Sequence, residues 1–319
     1  MSGLVSLPAL LGNGWVVPSE PVAVGWSGGA DSTALLLALK ATGTDVRAWH
    51  VDHAWHPESA AECRYLAGLA RQWGIPFFAA RLDLPAGRNR EGEARRGRYQ
   101  QFAGWSEAQR IGRLFLGHHR NDQAETVFLR MLQGAGVAGC RGMPGCRRQG
   151  HLTIERPLLD IDRQRIETAL REAGVDWLED ASNSDLSLLR NHIRHRVFPS
   201  MRAAGTDPVD LFCRWSQQAN RIAAELEKAT KTTPVDTLGD RVRVGWNDWL
   251  NSAPAVRARL LQQMTSQLFG EGTTPGRRHI ELAETWTRHG GHGGLDLSGC
   301  RLERVRGNLH LRRSDAMLR

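Results

Sequence analysis

Between an apolar stretch at residues 22–26 (VAVGW) and an apolar run that opens at Ser32 stands Ser27-Gly28-Gly29-Ala30-Asp31-Ser32. Two adjacent glycines let the backbone take positive φ and come close to a ligand. The amides they leave exposed, and the start of the helix expected over 32–40, favour an anion, phosphate above all. Ser27 and Ser32 add hydroxyl donors. Asp31 is out of place beside an anion unless a cation stands between them, which points to Mg²⁺ bridging Asp31 and phosphate oxygens. A plain helix cap is the alternative for Asp31. No lysine follows the glycines, so the loop is not G-x-x-x-x-G-K-[ST], and cleavage at a terminal phosphate is disfavoured.

Three further groups can do chemistry. His118-His119 precede Asp122 and Glu125, which are three apart and so share one helix face. Such acids serve ammonium recognition, metal contact or proton acceptance. Acids balancing a helix dipole, or a closed zinc site, are the alternatives. Arg95 and Arg98 share a helix face beside Tyr99, as a phosphate-binding surface, a wall of a small-molecule site or a solvated basic face. Arg190 and Asn191 follow Asp180, Ser182 and Asn183, whose composition also suits a plain turn, and Arg194 lies one helical turn on.

The elements that must position these residues alternate. Strands are expected over 22–26, 46–51, 77–84 and 113–117, and helices over 32–40, 59–73, 91–111 and 122–133. Such alternation implies an α/β fold with a parallel sheet, whose ligands sit beyond the C-terminal strand ends. The loop 27–32, Asp52-His53 and His118-His119 all fall at such ends. After Pro199 the pattern changes. Leu211, Phe212, Trp215, Ala219, Ile222, Ala223 and Leu226 mark an amphipathic helix, 228–240 reads as a polar linker, 255–269 as a helix, and the tail as short strands with a hairpin around Gly307-Asn308. The expected division is a catalytic domain over 1–205, a helical linker over 206–240 and a small α+β domain over 241–319. Trp73 and Trp215 are expected in the core.

The 319 residues are 41% hydrophobic and 24% charged, enough for a core without covalent staples. No apolar run reaches 18 residues, so no membrane span is expected. The apolar N-terminus has no basic flank and is broken by Pro8 and Gly12, unlike a signal peptide. Cys63, Cys140, Cys146, Cys213 and Cys300 are odd in number and scattered, which suits free thiols in a reducing cytoplasm. A net charge of +8 suits a polyanionic partner, nucleic acid first.

The strand–SGGxDS–helix pattern resembles the PP-loop of the N-type ATP pyrophosphatases. Further stretches resemble the tRNA(Ile)-lysidine synthases: HVDHAWHPESAAE (50–62), EARRGRYQQF (93–102), GHHRNDQAETVFLRMLQGAGVAGCRGM (117–143), and RPLLDIDRQRIETAL with EDASNSDLSLLRNHIRHRVFP within 156–199. The resemblance covers about residues 20–200 in order. It implies a doubly wound, mostly parallel sheet of the adenine nucleotide α-hydrolase type, followed by a smaller helical and α+β C-terminal domain, with a tRNA-binding role for residues 241–319. It implies that ATP, with Mg²⁺, adenylates the C2 oxygen of the wobble cytidine in the CAU anticodon of isoleucine tRNA, and that the amine of free L-lysine then displaces AMP. Carried over by motif, Asp31, Asp122, Glu125 and Arg190 are the catalytic candidates, with Asp31 the metal ligand. Ser27, Gly28, Gly29, Ala30, Asp31, Ser32, His53 and His118 bind the nucleotide, and Arg95, Arg98, Tyr99, His119 and Asn191 the other substrates. Asn121, Ala54-Trp55 and Cys140 depart from the usual pattern, and Asn121 removes one metal contact. A related RNA thiolase would carry paired C-x-x-C cysteines, which this chain lacks, and an inactive RNA-binding relative would show an eroded loop, yet Ser27 to Ser32 is complete. Monomer and homodimer are both left open, and no membrane partner is expected.

Overall fold

The computed structural model describes residues 2–12, 14–54, 58–83, 90–179, 185–186, 188–270, 273, 275–297 and 299–314. Trp55, Asp180, Ser182 and Asn183 lie outside the described residues. The chain separates into two units, Met1–Gln218 and Ala219–Arg319.

The first unit alternates as its apolar periodicity requires: β1 (Val22–Gly25), α1 (Ala30–Ala41), β2 (Val46–Asp52), α2 (Ser59–Gln72), β3 (Phe77–Arg81), α3 (Arg90–Gln109), β4 (Arg113–Leu116) and α4 (Arg120–Leu132). Two strands not expected from the sequence follow, β5 (Cys146–Gln149) and β6 (Leu152–Glu155), and then α5 (Arg163–Glu172), α6 (Leu189–His192), a π-turn at Ile193–Val197 and α7 (Phe198–Ala203). The sheet order is β3-β2-β1-β4-β6-β5, parallel except for β5, which pairs antiparallel with β6 at the edge. The strand order reverses between β1 and β4, and the crevice beyond that switch point is where an open α/β sheet binds ligands.

Helix α1 is apolar nearly all round, and such a helix must be covered on every side. The sheet covers one side; α5 and the 3₁₀ helix Ser2–Leu11 cover the rest, with Leu7 and Leu10 buried in the same core as Leu35, Leu36 and Leu39. Leu7, Leu10 and Leu11 of the apolar N-terminal stretch are therefore core material. Trp73 packs partly buried against that core. Trp215 does not meet the expectation: it is 52% exposed, because its helix turns Val209, Leu211, Phe212 and Cys213, not Trp215, into the cluster around Phe198.

Helix α8 (Pro208–Lys231) occupies most of the 206–240 stretch expected to be a helical linker. The second unit continues with β7 (Val235–Leu238), β8 (Arg241–Gly245), α9 (Trp246–Asn251), α10 (Pro254–Phe269), α11 (Arg277–Arg288), β9 (Gly294–Leu297), β10 (Cys300–Val305) and β11 (Asn308–Arg313). Its strands form an antiparallel sheet in the order β7-β8-β11-β10-β9, so part of the polar 228–240 stretch is an edge strand. Val242, Val244, Leu302, Leu309 and Leu311 alternate onto one face and meet Trp246, Trp249, Leu260 and Met264. The expected hairpin is present, closed at Arg306-Gly307 with φ of 47° and 77°, the positive pair that a two-residue hairpin turn needs.

Candidate active site

The phosphate loop is tied from within. Gly28 has φ of 88°, and a Cβ there would meet Leu66 and Leu178 at 2.9 Å. The Ser27 N–H donates to Ser32 Oγ at 3.2 Å, and that hydroxyl donates to the Gly29 carbonyl at 3.1 Å. Thr33 Oγ1 donates to the Gly28 carbonyl and accepts from the Trp26 indole at 2.9 Å. From the other side Gly117, at the end of β4, lies so close that a Cβ would stand 2.8–2.9 Å from backbone atoms of Asp31 and Ser32. The loop opens on the N-terminus of α1, where unpaired amides and the helix dipole favour an anion.

An open cleft of ≈ 360 Å³ runs from the loop across the ends of β1, β2 and β4, and Ser27, Asp31, Ser32, His53, Arg98 and His118 all line it. Gly28 turns away, toward Leu66. Burial, aided by Arg156, Arg190 and Arg98 and opposed by Asp122, pulls the His118 pKa down to about 3, so this imidazole is neutral. Asp31 goes the other way: burial raises its pKa, and the pull of His119 does not offset that. Asp31 Oδ1 is buried with no hydrogen-bond partner.

Asp31 joins the cleft to a second cluster. Its Oδ2 lies 3.5 Å from His119 Nε2, which is also 3.4 Å from Asp122 Oδ2. His119 caps α4: its Nδ1 accepts from the Asp122 N–H at 3.3 Å while its own N–H donates to Asp122 Oδ2 at 3.1 Å. An Nδ1 that accepts leaves the proton on Nε2, facing both carboxylates. One turn on, Glu125 is 1% exposed and fully engaged. Arg190 Nε donates to its Oε2 and Arg194 Nε to its Oε1, each at 2.7 Å, and Arg194 Nη2 reaches Oε2 at 3.0 Å. Both arginines also reach Asp122 Oδ1 at 3.4 Å. Burial favours the neutral acid at Asp122, but His119, Arg190 and Arg194 outweigh it and hold this carboxyl below its ordinary range.

The structure thus brings Asp31, His118, His119, Asp122, Glu125 and Arg190 together, with Arg194 as an equal partner of Arg190. His119 is buried and orients carboxylates. Asn191 is buried too and donates to the Asp185 carbonyl at 3.0 Å, holding the segment that carries Arg190. Tyr99 is buried under Arg95 and Arg98. Asn121 accepts from the Arg163 N–H at 3.2 Å and so starts α5. Gly117 was missed; its only signal is a glycine directly between an apolar strand and a polar pair. All five cysteines are free.

A strand, an SGGxDS loop and a helix at the switch point of a parallel sheet define a PP-loop nucleotide-binding domain, and the chain matches the PP-loop domain family over residues 6–201. The tRNA(Ile)-lysidine synthase of Solibacter usitatus is 42% identical over 184 residues, 57% of this chain and 41% of its own length. That of Symbiobacterium thermophilum is 32% identical, over 96% of this chain and 68% of its own. The chain belongs to the tRNA(Ile)-lysidine synthase family of PP-loop proteins. It spans about half the length of several of the curated relatives it matches. Among solved structures, the U34-tRNA thiolase NcsA from Methanococcus maripaludis superposes with a TM-score of 0.54 at 16% identity, over 68% of this chain and 77% of its own, a likeness of fold alone. Among the described residues no helix is long and apolar enough to cross a membrane.

Proposed function

We propose that this chain joins free L-lysine to C2 of the wobble cytidine in the CAU anticodon of isoleucine tRNA, at the expense of ATP, releasing AMP and pyrophosphate. The observation that carries the reading is the meeting at Asp31 of the phosphate loop and the His119–Asp122–Glu125–arginine cluster, in a chain of this family. ATP phosphates lie against Ser27, Gly29 and Ser32 at the start of α1. The orphaned, buried Asp31 Oδ1 fits a hard divalent cation, since Mg²⁺ is commonly held by one or two carboxylates plus substrate phosphates. Asp31 would hold Mg²⁺, which would supply neutralising charge for the departing pyrophosphate.

Both Glu125 oxygens accept from arginines, so in this reading Glu125 positions Arg190 and Arg194, which hold nucleotide phosphate or the substrate carboxylate. Asp122 keeps its charge and is a weak base, which suits recognition of an ammonium better than removal of a proton. His118 and His53 form the nucleotide wall, and Arg95 and Arg98 face the RNA. The site of action is the cytoplasm, in keeping with five free thiols.

The test is AMP release and incorporation of labelled lysine by the purified protein with isoleucine tRNA, with and without lysine. Both products should require tRNA and lysine, and Asp31→Ala should abolish both. AMP without incorporated lysine would point to another nucleophile, and tRNA binding without AMP would end the proposal.

A further inference from the structure

Tyr99 is 7% exposed, and its ring lies under three guanidinium groups. Arg95, Arg98 and Arg147 place their Cζ atoms 5.2, 6.0 and 5.1 Å from its centroid. Arg156 completes the group at 4% exposed, with Nη1 donating to the Pro144 carbonyl at 2.8 Å. Two of these arginines come from α3; Arg147 lies on β5 and Arg156 follows β6. Among the described residues no carboxylate pairs with Arg95, Arg147 or Arg156. The Nε atoms of Arg147 and Arg156 are both buried without a partner. Burial, and repulsion from Arg147 and Arg95, pull Arg156 below an arginine's ordinary pKa.

Arg147 and Arg156, with buried guanidinium atoms, no carboxylate partner among the described residues and Arg95 close by, oppose folding, because they are partly desolvated and repel one another. The arrangement is stable when an anion supplies the missing charge. Guanidinium planes stacked on a ring still present their N–H edges, the geometry that matches phosphate oxygens. Arg95, Arg147 and Arg156 together exceed what one amino-acid carboxylate can balance. Location decides between nucleotide and polymer. Arg98 also lines the cleft, so the cluster starts where the cleft ends, and it extends to β5, the outer strand of the sheet. A chain of phosphodiesters can lie over that edge while a nucleotide occupies the loop.

We infer that Arg95, Arg98, Arg147 and Arg156 form a phosphodiester-binding site beside the nucleotide cleft, in which the β5–β6 hairpin helps to hold the backbone of the RNA substrate. Tyr99 is the positioning residue: its covered ring sets the arginines and offers no face to a base. The inference rests on the proposed function, which makes RNA the substrate.

The experiment uses the full chain and isoleucine tRNA, with Kd measured by fluorescence anisotropy over a NaCl series, together with KM for lysine and ATP. Arg147→Gln should weaken tRNA binding about tenfold near 0.1 M salt and flatten the log Kd–log salt slope by about 0.7 for one lost single-strand phosphate contact. Arg147→Lys should restore the slope while recovering only part of the affinity, since it keeps the charge and loses the fork. An unchanged Kd and slope in Arg147→Gln, with the unsubstituted chain binding tRNA, would overturn this inference alone. A raised KM for lysine or ATP at unchanged tRNA affinity would also overturn it, by assigning the cluster to those anions. No tRNA binding by the unsubstituted chain would overturn it together with the proposed function.

Discussion

Replacing His118 by glutamine tests the electrostatics at the mouth of the cleft. With a folded pKa of about 3 against about 6.5 in an unfolded chain, His118 takes a proton when unfolded at mildly acid pH and refuses it when folded. Its contribution is intact above pH about 6.5 and is lost as the pH falls toward 3, at about 1.4 kcal/mol per pH unit. Between pH 7.5 and pH 5 the unsubstituted protein should therefore lose about 2 kcal/mol at this one residue. Glutamine cannot titrate, so His118→Gln should lose about 2 kcal/mol less over the same interval. Urea unfolding at the two pH values, followed by tryptophan fluorescence, measures the difference. Curves that shift in parallel would refute the reasoning: the folded imidazole would then accept a proton despite burial and the fields of Arg156, Arg190 and Arg98. The functional corollary is that His118 meets the nucleotide as a neutral hydrogen-bonding group and adds no positive charge.

Three more outcomes are expected. Glu125→Gln keeps the shape but removes the charge shared by Arg190 and Arg194; with both arginines part-exposed and Asp122 still near, the loss should be about 2–3 kcal/mol, and a thermal midpoint lowered by less than about 2 °C would contradict it. Burial raises the Asp31 pKa, so its ionised form costs stability that appears as the pH climbs through that value. Asp31→Asn should then leave the ligand-free protein at least as stable at pH 8 while AMP formation disappears, and a less stable or an active variant would count against the site. Gly117→Ala would set a Cβ against the Asp31 backbone; ATP binding by calorimetry should fall at least about tenfold, since misplaced donors lose their hydrogen bonds, and an unchanged Kd would show that the loop yields freely.

Legibility followed the range of the interactions. Ser27 to Ser32 and His118 to Glu125 could be read because loop, cap and helix face are local chemistry within a few residues. The pairing of Glu125 with Arg190 and Arg194 could not, because it closes over 65 and 69 residues. The hairpin of β5 and β6 was missed since CRRQ lies at the exposed sheet edge without apolar alternation, and LTIE, though it alternates, is only four residues long. Trp215 misled in the opposite sense: helical spacing marks which residues share a face, but not whether anything covers it. Tyr99 read as a substrate contact by motif, and only the fold showed arginines closing over it.

The close approach of Gly117 to the loop has a consequence for the heat and rate of nucleotide association. A free glycine-rich loop explores many backbone states, and ordering it costs about 1–2 kcal/mol per residue fixed. Here β4, Leu66 and Leu178 impose the ordering when the chain folds. Association then needs no induced closure of this loop, and its heat-capacity change should reflect only the surface the nucleotide itself buries. The entropy of making the receptor is settled at folding, before any ligand arrives.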